Sequence, residues 1–279
     1  MIGSNAMLVD LNISMWTGRK MDKKVSEEID ASKSTKARAG NYHKKLLAGS
    51  DKLEKVQKIA TAVRTWNYQQ TLPWSDGGSR LLPMKSFFDY KQTLNNFENQ
   101  YNDAVNDFLT EYPQLVSGSA FTLGDLFDRG EYPDVEELRN KFRFKYVFCP
   151  VPDAGDFRID VEEQAKNELQ QQYKEYYDVK LADAMKDAWD RLHDTLTHLS
   201  ERMDYTDENK KKFWDSTITN ATDLCGLLTS LNITNDPKME HARQQLEKAL
   251  SGVDASDIRE SEAIRSSVKS KVDDILSMF

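Results

Sequence analysis

Three features of the sequence predict an α+β chain, predominantly α, in which long amphipathic, coiled-coil-like helices surround a small antiparallel β-sheet of about three strands. Apolar residues recur mostly at steps of three and four, the spacing of one helix face. Two short stretches alternate instead, one near the N-terminus and one mid-chain, as half-buried strands do. Prolines and glycines gather in a few connectors, which is where helices stop.

The opening MIGSNA (residues 1–6) reads as an expression scar before a native start at Met7, so it is expected to stay outside the fold. Val9, Leu11, Ile13 and Met15 then alternate with polar neighbours and predict a strand over 9–16, ended by Gly18. Met21, Val25 and Ile29, four apart, begin a helical pattern that returns at Leu46, Leu53, Val56, Ala60 and Val63. Between these lies 31–45, ASKSTKARAGNYHKK, with one aromatic and no large aliphatic side chain. Nothing obliges it to pack, and it reads as a solvated helix surface, a loop or a binding arm.

Residues 71–84 hold two prolines and a Gly-Gly pair, which break the helix. Phe87, Tyr90, Leu94, Phe97, Tyr101, Val105, Phe108 and Tyr112 form an aromatic stripe on a helix expected to end before Pro113 and to pack on the preceding one. In FRFKYVFC (142–149) Phe142, Phe144, Tyr146 and Phe148 share one face of a strand, and Phe157 and Ile159 predict a second strand over 157–161 after a turn.

From 162 the pattern is helical almost to the end. Met185, Trp189, Leu192, Leu196, Leu199 and Met203 step by four and three alternately, a seam that serves either a core or an oligomer contact. Another helix start is expected at Thr206-Asp207, Asp236-Pro237 reads as an N-cap followed by proline at the first helical position, and Ile264, Val268, Val272, Ile275 and Phe279 make a last stripe. The expected division is a strand-helix-helix-hairpin region over 7–161, carrying the basic arm 31–45, and an acidic all-helical region over 162–279 packing on it.

A length of 279 residues is enough to bury an apolar core. Cys149 and Cys225 lack any paired-cysteine motif, which predicts a reducing, cytoplasmic setting. No apolar run approaches the roughly 20 residues of a membrane span and no secretory leader is evident, so no membrane association is expected. The net charge of −8 argues against indiscriminate coating of DNA. That charge is uneven, with a basic excess over 19–58 and an acidic one over 161–279.

No GxxxxGK[ST], GxGxxG, GxSxG or HExxH motif is present, which makes the common nucleotide, hydrolase and zinc-protease chemistries poor expectations. No cofactor, no metal and no enzymatic activity are expected. Asp153, Asp156 and Asp160 at the predicted hairpin offer oxygen ligands, but aspartate is also the ordinary turn residue. His193 and His198, five apart, fall on different helix faces and make poor joint ligands. The aromatic and basic alternation of 142–149 has the look of a base-stacking sheet without its glycines, and sheet-on-helix packing accounts for it better. The best contact candidate is the basic arm, Lys33, Lys36, Arg38, Tyr42, Lys44 and Lys45, with His43 among them, directed at phosphates or an acidic partner.

The segments PVPDAGDFRIDV (150–161) and MLVDLNISMWTGRK (7–20) resemble a family known as domain of unknown function 3150 over nearly the whole chain. That resemblance implies a strand-first, helix-rich layout and a phage or prophage setting in a bacterial cytoplasm. It also implies gene neighbours such as a MoxR-like AAA ATPase and a von Willebrand-type partner, and it transfers no catalytic residue. The function expected is a phage-encoded interaction or scaffold protein acting on a protein partner, an AAA ATPase or host factor, with homo-oligomerisation through the seams. The alternative is a protein of phage DNA metabolism that binds single- or double-stranded DNA through the arm.

Overall fold

The computed structural model describes residues 2–152, 163–206 and 211–279. The predicted strand over 157–161, the Asp153, Asp156 and Asp160 cluster, and the residue Asp207 lie outside the described residues. The fold is α+β and predominantly α, as expected. Contacts divide the chain into two units that do not follow chain order. Unit 1 comprises 1–10, 67–90 and 147–279, and unit 2 comprises 11–66 and 91–146.

The main sheet has four strands, β1 (Ala6–Ser14), β4 (Leu72–Pro73), β5 (Arg80–Pro83) and β6 (Arg143–Pro150), in the order β4-β5-β1-β6. Pairing of β1 with β5 is antiparallel, running from Ala6 opposite Pro83 to Val9 opposite Arg80. Ala6, inside the segment expected to stay outside the fold, is buried in this ladder, and the amide of Met84 donates to the carbonyl of Asn5. A strand needs a partner for every inward amide, so the pairing edge recruits residues just before Met7. The stretch read as a mere helix break forms the β4–β5 hairpin, with Leu72 opposite Leu81.

In unit 1 the sheet meets a helical layer of α5 (Glu163–Met203), α6 (Asp215–Leu231), α7 (Pro237–Leu250), α8 (Ala255–Glu260) and α9 (Glu262–Leu276). The predicted seam is the spine of the core here. Met185, Leu192, Leu196, Leu199 and Met203 are buried, with Trp189 packed against the same cluster, among α6, α7 and α9 side chains such as Leu228, Leu246, Val268 and Val272. The seam is therefore filled by the chain's own helices. Asp236 caps α7 through the amide of Lys238, with Pro237 at the first turn, as its sequence predicts.

Two arginines of this unit close the C-terminal end of the helix that finishes at Gln70. Arg191 donates to the carbonyls of Tyr68, Gln69 and Thr71, and Arg80 donates to Thr71 and lies over the Tyr68 ring. Helix-terminal carbonyls have no partner of their own and carry partial negative charge, so cations belong there. Burial, then the neighbouring Arg191, lowers the pKa of Arg80 from its ordinary value.

Unit 2 is built on α2 (Asp51–Gln70) and α3 (Phe87–Leu123) over most of their lengths. Leu53, Val56, Ala60 and Val63 of α2 and Leu94, Tyr101, Phe108 and Tyr112 of α3 are buried. Phe144 of β6 packs against Tyr101 of α3, and Phe142, just before the strand, packs against Phe108. Phe142 is buried, and Phe144, Tyr146 and Phe148 are half-buried. The α3 helix does not end before Pro113 but runs ten residues further. Proline forfeits one amide bond and crowds the preceding turn, yet Leu109 and Tyr112 before it and Val116 and Ser119 after it stay buried on one continuous face. Packing outweighs the local penalty.

Because the seam is a core seam, Leu196→Ala is expected to destabilise the chain by about 3 kcal/mol in chemical denaturation without changing its oligomeric state. A change in association without a loss of stability would show the seam acting between copies.

Candidate functional site: the basic face of unit 2

The arm begins at the end of α1 (Lys23–Ser32) and returns as β3 (Tyr42–Lys45). β3 pairs antiparallel with β2 (Arg19–Asp22), setting Arg19 opposite Lys45, Lys20 opposite Lys44, Met21 opposite His43 and Asp22 opposite Tyr42. The helix expected from Met21 thus starts two residues later, because Asp22 is both the last strand residue and the N-cap of α1, accepting from the Val25 amide at 3.1 Å. Ser26 is buried behind it, donating to the Asp22 carbonyl and accepting the Tyr42 amide at 2.9 Å.

Residues 31–41 are exposed throughout, with Lys33 at the C-cap of α1 and Lys36 and Arg38 in the loop beyond. Tyr42 is 36% exposed. Lys45 is exposed on the strand, as are Arg19 and Lys20 across from it. Lys44 has a different place. Only 5% exposed, its ammonium lies 2.8 Å from Glu131 and 3.2 Å from Asp22, and donates to the Leu126 carbonyl at 2.7 Å.

This pairing is internal to unit 2. The Val25 amide and then Lys44 hold the Asp22 carboxyl below its ordinary value. Burial works to lower the Lys44 ammonium, but Glu131 and Asp22 together hold it above its ordinary value. Lys44 is therefore the anchor of the arm, and the structure separates it from the contact residues with which its sequence groups it.

The cations that reasoning along the sequence left out are Arg19 and Lys20. The ribbon brings them beside Lys45, whereas the only local signal is their place at the start of the basic 19–58 stretch. None of Arg19, Lys20, Lys33, Lys36, Arg38 or Lys45 is in an ion pair among the described residues. On the adjoining helices, by contrast, Lys52 reaches Glu111 at 2.6 Å and Lys55 reaches Asp107 at 3.9 Å.

Among the described residues no group of three or more His, Cys, Asp or Glu side chains is placed to hold a metal. His193 and His198 are exposed, and the His193 ring lies against Phe279. Both cysteines are free thiols, and burial pushes the Cys225 thiol up to about 11. No described helix is long and apolar enough to cross a membrane.

The family described as Protein of unknown function (DUF3150) matches residues 4–266. No curated protein matches the chain, and no solved structure does.

Replacing Lys44 by Met leaves two half-buried carboxylates without their cation and is expected to destabilise the chain. The sign of the pH dependence follows from the two shifts. Asp22, depressed, contributes above its ordinary 3.8 and loses that contribution as pH falls through its folded value. Lys44, raised, contributes below its ordinary 10.5 and loses it as pH climbs through its folded value. The stability difference between wild type and Lys44→Met, measured by denaturant titration, should be flat between those limits and shrink outside them. A difference that varies strongly near neutral pH contradicts the assignment.

Proposed function

We propose that this chain, which belongs to the DUF3150 family, is a non-enzymatic interaction protein that engages an acidic partner through the basic face of unit 2. The observation that carries the reading is the group of exposed cations on the β2–β3 ribbon and its loop, Arg19, Lys20, Lys33, Lys36, Arg38 and Lys45. Side chains of this kind meet an anionic surface at little desolvation cost and steer it by long-range attraction. The buried Lys44 gives them a fixed base.

A protein partner comes first. A net charge of −8 weakens a purely electrostatic hold on long DNA, whereas a local acidic patch on another protein needs only the face itself. An AAA ATPase of the MoxR kind or a host factor, met in the cytoplasm of a phage-infected bacterium, suits this reading. One observation favours single- or double-stranded DNA instead. The Tyr42 ring is partly exposed between the arm and Lys45, where a base stacks while the cations meet phosphates.

Anisotropy of labelled single- and double-stranded oligonucleotides and of polyglutamate, titrated with the full chain at low salt, tests both forms. Binding should weaken steeply with salt and fall at least about tenfold in the Lys33→Glu, Lys36→Glu, Arg38→Glu triple variant, whose sites are exposed. Polyglutamate binding alone supports the protein partner, and oligonucleotide binding supports DNA. No binding of any probe at low salt, or a triple variant equal to wild type, overturns the reading.

A further inference from the structure

Beside the ribbon, and lined by none of Lys33, Lys36 or Arg38, unit 2 holds a cleft of about 500 Å³. One wall is the strand pair, where Arg19 stands directly opposite Lys45, and the other is the first turns of α2, which present Lys58 and Glu54. From the lining and its charges we infer that this cleft is a binding site for a small phosphomonoester.

Three observations support the assignment. First, like charges set directly opposite on an antiparallel pair repel, and neither Arg19, Lys45 nor Lys58 has an ion-pair partner among the described residues to relieve this. With three cations and one carboxylate the lining is left two positive charges in excess, and a phosphate monoester carries about −1.5 to −2 near neutral pH. Second, the hydroxyl oxygen of Ser50, which lines the cleft, is buried without a hydrogen-bond partner. A buried unpaired hydroxyl is costly, and a ligand oxygen that reached it would relieve that cost. Third, the volume lies within the range of small-molecule sites, and Leu47 and Leu53 supply an apolar wall for the organic part of the ligand.

The local backbone suits close approach. Gly49, on the cleft wall, has a φ of +86°, where a side chain is strained although the space is open. Gly18, with φ +63°, sits so near α2 that a Cβ would fall 2.5 Å from Leu53. Gly18 thus lets the ribbon lie close against the start of the helix.

The site shares Arg19 and Lys45 with the proposed contact face but does not depend on it. Calorimetric titration of the full chain with inorganic phosphate, adenosine 5′-monophosphate and adenosine separates the two ideas. Phosphate and the monophosphate should bind and adenosine should not, and Lys58→Ala or Arg19→Gln should each weaken the monophosphate at least about tenfold, as expected for losing a charged contact. The Lys33, Lys36, Arg38 charge-reversal variant should bind it as wild type does. Absence of phosphate and monophosphate binding at millimolar concentration, equal binding of adenosine, or indifference to Lys58→Ala and Arg19→Gln each overturns the assignment. None of these results bears on the binding of polyglutamate or oligonucleotides through the arm.

Discussion

The basic face of unit 2 depends on one buried cation. Lys44 sits with its ammonium enclosed by Asp22, Glu131 and the Leu126 carbonyl. A charge taken out of water is tolerable only where every donor finds a partner. The consequences reach well beyond the lysine. Asp22 also starts α1, so the same contact fixes the end of β2, the start of the helix and the return strand β3. Tyr132, next to Glu131, donates to the carbonyl of Leu46 and closes the connection from the other side. Strand geometry does the rest, because consecutive residues point to opposite faces, so an inward Lys44 turns Lys45 outward to stand opposite Arg19. The anchor and the exposed cations are thus parts of one arrangement.

Unit 1 is held by a different kind of constraint. Its core is apolar, organised along the α5 seam, and its polar contacts serve mainly to close helix ends. Arg191 and Arg80 take the last carbonyls of α2, Asp236 takes the Lys238 amide at the start of α7, and Ser261 starts α9 by accepting from Ile264. Arg243 is clamped between Glu240 and Glu247 along α7 itself.

Much of this was legible in the sequence where the signal was local. The Met185 to Met203 periodicity, the Asp236-Pro237 cap, the Val268 and Val272 stripe and the alternating FRFKYVFC strand all express a repeat of 3.6 or 2 over enough residues to be read directly. The strands of two to four residues were not legible. β4 and β5 lie in a proline-rich stretch, and β2 pairs with β3 across a whole helix, a contact that no short window contains. Pro113 misled because its local penalty is visible while the buried face that outweighs it is not. The candidate site was half legible. Lys33, Lys36, Arg38, Tyr42 and Lys45 lie in the exposed part of the arm, but the role of Lys44 depends on Glu131, far along the chain. Arg19 joins the face only through the pairing of the ribbon.

Adjacent lysines in one short segment do opposite work, one inside and the others at the surface. Lysine-selective acetylation of the native chain, read site by site by mass spectrometry, tests it most directly. Lys33, Lys36, Lys45 and Lys58 should be modified rapidly, while Lys44 should react only once the chain is unfolded. Acetylation of Lys44 at the rate of Lys45 in the folded chain would show that Lys44 is not enclosed.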